Sequence, residues 1–284
     1  MCAGRVLVDE DGSIWFRQSW LDTAMRCNER GRLSMVKPEF ASATSDAALI
    51  GTATHAAIAD VLSEECDPEL IGEVAAHEAL SLCETTEVYW TKWTLPAQLA
   101  EHARRCAVAW DRTIRPHVKP GGLVEHEFAV PLFESRGRTV GIKGTIDYAC
   151  PDGTLYDWKT ASKKYSQREK QRAAIQPTVY AAAALHGGLP DSYGYQYPIR
   201  FHYGVMVRGE SSATTQIVDV MRTHAHESWL LDHLSTYVDL ADGLGVLRPW
   251  PRNEDHFLCS ATWCPWWSIC KGARLSPGQD TWSG

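Results

Sequence analysis

Apolar residues recur at helical spacing through the first part of the chain, and past residue 120 the pattern changes to that of strands. Residues 17–34 (RQSWLDTAMRCNERGRLS) read as helix, with Ser19 as a cap. Residues 51–64 (GTATHAAIADVLSE) are Ala-rich with helical periodicity, and 69–118 predict two or three more helices, broken near Thr94–Pro96. Residues 123–131, 139–149 and 154–159 predict three strands, the last two joined by the turn signal Pro151-Asp152-Gly153. A helix over about 166–186 follows. Then comes a strand pair at 199–208 and 213–220 and a long helix over about 222–245. This order predicts an α/β (mixed α+β) fold with one central mixed sheet flanked by helices. Three regions are expected: a helical portion over 1–118, a core over 119–248, and a tail over 249–284 that is rich in Trp, Pro and Cys.

A chain of 284 residues can bury one large core, or one core with an appendage. No stretch is long and apolar enough to span a bilayer. The start, MCAGRVLVDEDGS, carries acids where a signal peptide has its apolar segment, so an unprocessed cytoplasmic protein is expected. The net charge of -7 weighs against a general polyanion binder. Locally the balance inverts. Lys159, Lys163, Lys164, Arg168, Lys170 and Arg172 stand against Glu169 alone, a local +5. Taken by itself, such a run is a solvated face.

The segment GTIDYACPDGTLYDWKTASKK carries candidate chemistry. Asp147 ends one strand and Asp157 lies near the end of its hairpin partner, so both carboxylates can reach one point beside the sheet. Lys159 projects from the same face as Asp157. Two carboxylates offer hard oxygen ligands to Mg²⁺ or Mn²⁺, which polarises a phosphate and acidifies a bound water. A lysine can orient that water. Asp-x-Lys alone is a common accident, and a hairpin with solvent-facing Asp and Lys would account for it. Downstream, Gln176 and Tyr180 are four residues apart and share a helical face. Upstream, His55 follows Gly51 by four.

With these residues in order, the chain resembles the PD-(D/E)XK nuclease superfamily, in particular its RecB-like branch. The matching pairs are Gly51…His55, Glu125…Phe128, Gly144…Asp147, Asp157…Lys159 and Gln176…Tyr180, and the likeness covers roughly residues 19 to 272. Glu127 competes with Glu125. The resemblance implies a metal held by His55, Asp147, Asp157 and the carbonyl of Trp158. It implies that Lys159 serves the water and that Gln176 and Tyr180 hold the DNA strand. The implied activity is that of a DNA exonuclease working on single-stranded ends, with 5′ to 3′ polarity suggested, in recombination, repair or CRISPR-type end processing. No Walker A pattern is present, so a helicase or other recombination or CRISPR adaptation protein would be a separate partner. The alternatives are a non-catalytic module that binds DNA ends in a larger complex, and an iron–sulfur redox protein.

Nine cysteines without a secretion signal argue against a disulfide framework. Cys2, Cys66, Cys83, Cys106 and Cys150 are scattered. Cys259, Cys264 and Cys270 crowd into twelve residues without periodicity, which points to a metal centre with Cys27 as the candidate fourth ligand. The cluster-bearing RecB-like relatives, among them AddB-type nuclease domains and the CRISPR-associated iron–sulfur exonucleases, join one early cysteine to three late ones around a 4Fe–4S cluster. Those relatives tend to have a tighter pair than Cys259 and Cys264, and zinc suits four thiolates as well. On either reading the centre ties residue 27 to the tail as a staple.

Overall fold

The computed structural model describes residues 7–41 and 44–271. The chain divides into two compact units: Met1–Ser42 with Phe133–Gly141 and Asp232–Gly284, and Ala43–Leu132 with Ile142–Leu231.

The second unit holds the helical layer and most of the sheet. A short strand β3 (Thr44–Ser45) leads into α3 (Asp46–Leu62), where the Ser45 hydroxyl caps the first turn by accepting from Ala48 N. The helices α4 (Ile71–Thr85) and α5 (Pro96–Thr113) follow, separated by β4 (Val88–Tyr89), which pairs in parallel with β3. Pro96 opens α5, where a missing N–H costs nothing. Their facing sides are small and fully buried, with Ala53, Ala57, Ala75, Ala79, Ala103 and Ala107 letting the three helices pack closely. Isoleucine, leucine and Trp110 fill the remaining space.

The strands β5 (Leu123–Ser135), β6 (Arg138–Ala149) and β7 (Thr154–Ala161) come next, then β8 (Ile199–Arg208) and β9 (Ala213–Arg222). The sheet order within this unit is β6-β7-β8-β9, with β5 on β6. β7 is antiparallel to β6 and parallel to β8, so the chain must cross over between β7 and β8. The crossover is made by α6 (Gln167–Ala173) and α7 (Ile175–Leu185). Side chains alternate along β7. Tyr156 and Trp158 join the α3–α5 core, with Trp158 edge-on to Trp110 at 5.4 Å, so Asp157 and Lys159 face the other way, where α7 lies. The mixed sheet flanked by helices agrees with the expected fold class.

Two local expectations need correction, and one element was not expected. The single helix over 166–186 is broken at Ala174, because Pro177 cannot continue a helix running through Ala173, and the buried Arg222 guanidinium takes the carbonyls of Lys170, Gln171 and Ala174 and the hydroxyl of Thr178. The helix over 17–34 is two, α1 (Gln18–Arg26) and α2 (Asn28–Val36), parted by Cys27 in extended conformation. A short hairpin of β1 (Leu7–Val8) and β2 (Ile14–Arg17) precedes them.

In the first unit Trp20 packs against Phe16 and Tyr237, and its indole N–H donates to Gly31 O. Glu29 and Arg32 form a buried ion pair that also grips the tail. Glu29 accepts from Trp250 N, and Arg32 donates to Val246 O. Trp266 donates to Lys37 O, and Asn253 to Arg26 O. The long helix expected over 222–245 is α8 (His224–Leu244), and the last element among the described residues is α9 (Trp267–Lys271). Among the described residues no helix is long and apolar enough to cross a membrane.

Candidate active site

Five elements of the second unit deliver the site. β6 carries Asp147, β7 carries Asp157 and Lys159, α3 carries His55, β5 carries Glu125, and α7 carries Gln176 and Tyr180. Two glycines explain why the elements can meet. A Cβ on Gly51 would lie 3.3 Å from Thr160 Oγ1, so α3 rests close on the end of β7 one turn before His55. A Cβ on Gly144 would lie 2.8 Å from the Phe128 ring. Gly144 and Phe128 are thus two sides of one contact that locks β5 to β6 near Asp147. Phe128 in turn stands edge-on to Tyr180 at 6.0 Å.

The polar groups form two linked sets. In the first, His55 Nδ1 is 3.3 Å from Asp147 Oδ2, which also accepts from Trp158 N at 2.7 Å. Ligand atoms of His55, Glu125 and Asp147 all lie within 4.8 Å of one another. In the second, Lys159 Nζ is 2.6 Å from Asp157 Oδ2, and Gln176 Nε2 donates to Asp157 Oδ1 at 2.5 Å. Gln176 also donates to Tyr180 Oη, whose hydroxyl donates to Thr145 O at 2.6 Å. Among the described residues Asp157 does not fall within the tight group; its two oxygens are taken up by Lys159 and Gln176.

The charges follow from burial. Burial and the Lys159 ammonium push His55 down to about 4, so its imidazole is neutral at pH 7 and free to ligate. Burial raises the Asp147 carboxyl, against the pull of Lys159 and the Trp158 N–H. Burial raises Asp157 to about 6, with the Asp147 charge adding and Lys159 opposing. Lys159 is held above the usual lysine range despite its burial, because Asp157 and Asp147 stabilise its positive form. Loss of water around its carboxyl and the charges of Asp147 and Asp157 push Glu125 up to about 7.

Glu125 is the residue that sequence reasoning left undecided against Glu127. Strand alternation would put both on one face. Glu125 adopts a left-handed φ of 45°, rare for a residue with a side chain, and this turns its carboxyl to His55 and Asp147. The pattern Glu-x-x-Phe was the only sequence signal for it.

Cys27, Cys259, Cys264 and Cys270 belong to the first unit and line one small cavity together with Leu33 and Trp267. Burial raises the thiols of Cys259, Cys264 and Cys270. Cys106 and Cys150 are buried and Cys66 and Cys83 half-buried, whereas Cys2 lies outside the described residues.

A model of the PD-(D/E)XK nuclease superfamily matches residues 19–271, and the chain belongs to that superfamily. Among solved structures it is similar to a Eubacterium rectale protein provisionally named an exonuclease. The TM-score is 0.51 at 12% identity, and 86% of each chain is covered. At that identity the likeness speaks for the fold. No curated relative matches the chain.

Proposed function

We propose that the protein is a metal-dependent deoxyribonuclease that hydrolyses phosphodiester bonds at single-stranded DNA ends, with 5′ to 3′ action as the favoured direction. The observation that carries this reading is the convergence of His55, Glu125 and Asp147 beside the Asp157–Lys159 pair. A neutral imidazole and hard carboxylate oxygens suit Mg²⁺ or Mn²⁺, the histidine favouring Mn²⁺. His55, Glu125 and Asp147 would hold the ion, with Asp157 and the Trp158 carbonyl as neighbouring ligands. When bound, the ion polarises the phosphate and acidifies a water. Lys159 orients that water and offsets the negative charge that grows on the attacking oxygen. Gln176 and Tyr180 are buried, which supports a positioning role: they fix the Asp157 carboxylate through the chain to Thr145 O, in addition to any contact with the strand. The exposed cations Lys163, Lys164, Arg168 and Arg172 would take the phosphates.

The four cysteines would hold a structural 4Fe–4S cluster. Four thiols around one cavity fit it by donor chemistry. A single zinc with Zn–S bonds of about 2.3 Å needs all four sulfurs within about 3.8 Å of one another. Zinc is the alternative occupant, since four thiolates suit it as well. The pathway we favour is end processing in recombination, repair or CRISPR-type adaptation, beside a separate helicase or recombination protein.

The test is degradation of an end-labelled single strand with Mn²⁺, with and without chelator, by the wild type and by Asp147→Asn. Chelator-sensitive release of label by the wild type alone is expected. Equal release by both proteins, or release indifferent to chelator, would overturn the assignment.

A further inference from the structure

The loop between α4 and α5 carries the run Tyr89-Trp90-Thr91-Lys92-Trp93. Tyr89 is 62% exposed and Trp90 37%, an unusual outlay of large rings on a surface. The loop is nevertheless rigidly held. The buried carboxylate of Asp46, the first residue of α3, accepts from Thr91 N, Lys92 N and Trp93 N and from the Thr91 hydroxyl, at 2.6–3.2 Å. Val88 and Tyr89 are also paired with Thr44 and Ser45. A backbone fixed in this way leaves only side-chain freedom to be lost when something stacks on the rings.

Cations are interleaved with the rings. Lys92 Nζ and the Arg208 guanidinium each lie 5.4 Å from the centroid of the Trp93 ring, and Arg208 also donates to Ala47 O. From Arg208 the line continues inward. Arg208 lies three residues along β8 from Val205, the register partner of Lys159 on β7. The peptide of Tyr165 is clamped at both ends by the Gln216 side-chain amide, and Lys170 Nζ sits 4.0 Å from the centroid of its ring. Alternating rings and cations therefore lead from the loop to the reactive lysine. Along α3, Asp46 and His55 are nine residues apart, roughly 14 Å at the helical rise. That corresponds to about four nucleotides at a stacked rise of about 3.4 Å.

We propose that Tyr89, Trp90 and Lys92 form a platform on which unpaired bases of a DNA strand stack, feeding that strand past Arg208 and Tyr165 to the catalytic centre. Rings accept any base, and cations track the backbone, which is the chemistry of sequence-tolerant single-strand binding. A blunt duplex presents only the outer faces of its two terminal base pairs, with every internal base stacked on both sides. The inference rests on the nuclease reading for the position of the centre, and it supplies a physical reason for choosing single-stranded ends.

The test compares Tyr89→Ala/Trp90→Ala with Tyr89→Phe/Trp90→Phe, both in a Lys159→Ala background. Binding of a fluorescent single-stranded 20-mer and of a blunt 20-base-pair duplex is measured by anisotropy without divalent metal. The alanine pair should weaken single-strand binding at least ~10-fold, the scale of losing stacking on one or two bases. The phenylalanine pair should bind within about threefold of the background, and duplex binding should not change. With Lys159 restored, the alanine pair should cleave a trinucleotide, too short to reach the platform, at the wild-type rate. Unchanged single-strand affinity, equal loss on the duplex, or a phenylalanine pair as weak as the alanine pair would each overturn the platform. If the wild type cleaves neither substrate, the nuclease reading fails separately and the binding series still decides the platform.

Discussion

Replacing Asp46 with alanine removes the carboxylate that holds the 91–93 loop against the start of α3. Five hydrogen bonds to that carboxylate disappear together, four from the loop and one from Ala47 N. Each bond to a charged group contributes about 1.5–3 kcal/mol, but the loop can turn some of its N–H groups to water once it is released. Trp93 N lies beside a side chain that is 9% exposed and is the group least able to do so. A net loss of about 3–5 kcal/mol is expected at pH 7, or roughly 6–20 °C in Tm for a chain of this size class. Burial alone would raise the Asp46 carboxyl, yet the three N–H groups and the Thr91 hydroxyl outweigh it and hold the carboxyl well below the usual carboxylate range. A depressed folded value means that the stabilisation is complete above the unfolded value, about 3.9, and fades as pH falls toward the folded one. Urea unfolding of wild type and Asp46→Ala, followed by tryptophan fluorescence, should give a constant difference between pH 7 and 5 and a shrinking one below about pH 4. A difference under 0.5 kcal/mol at pH 7, or one that grows with acid, would refute the reasoning.

Glu125→Gln should weaken Mn²⁺ binding at least ~10-fold in calorimetry. Wild-type affinity should rise with pH up to the Glu125 value of about 7 and level off above it, because the ion takes only the ionised carboxyl; a variant with wild-type affinity and slope would count against Glu125 as a ligand. Gly144→Ala drives a methyl into the Phe128 ring and should cost about 1–3 kcal/mol in chemical denaturation. Adding Phe128→Leu should recover part of that loss, and a Gly144→Ala protein as stable as wild type would remove the contact from the account. Cys264→Ala should strip iron from freshly purified protein and lower Tm, as read by elemental analysis and thermal melts; full iron content or an unchanged melt would contradict the staple.

The hairpin that carries Asp147, Asp157 and Lys159 was legible because its determinants are local. Pro151-Asp152-Gly153 forces the turn, and period-two alternation then puts Asp157 and Lys159 on one face. Gln176 and Tyr180 were readable from helical spacing. What stayed hidden depends on contacts between distant residues. The helix break at Ala174 is the exception, since Pro177 announces it locally and Arg222 only takes up the freed carbonyls from β9. Glu125 could not be preferred over Glu127 without its left-handed backbone. Asp46 looks like an ordinary residue of a helix first turn, and its partners lie 45 to 47 residues away. The strands β3 and β4 are too short for any periodicity to show. The glycines of the two Gly motifs read as pattern alone, and only the packing against Thr160 and Phe128 gives them a physical reason.

The central claim is that Lys159, held by Asp157 beside the His55, Glu125 and Asp147 group, promotes hydrolysis of a DNA phosphodiester bond. Single-turnover cleavage of a labelled single strand with saturating Mn²⁺ tests it most directly, with wild type and Lys159→Ala compared and DNA binding measured in parallel. A rate lower by about 10²–10³-fold is expected in the variant, the range for loss of one group that stabilises charge developing in the transition state, with DNA affinity within a few fold. Cleavage by Lys159→Ala at the wild-type rate, with the same products, would contradict it.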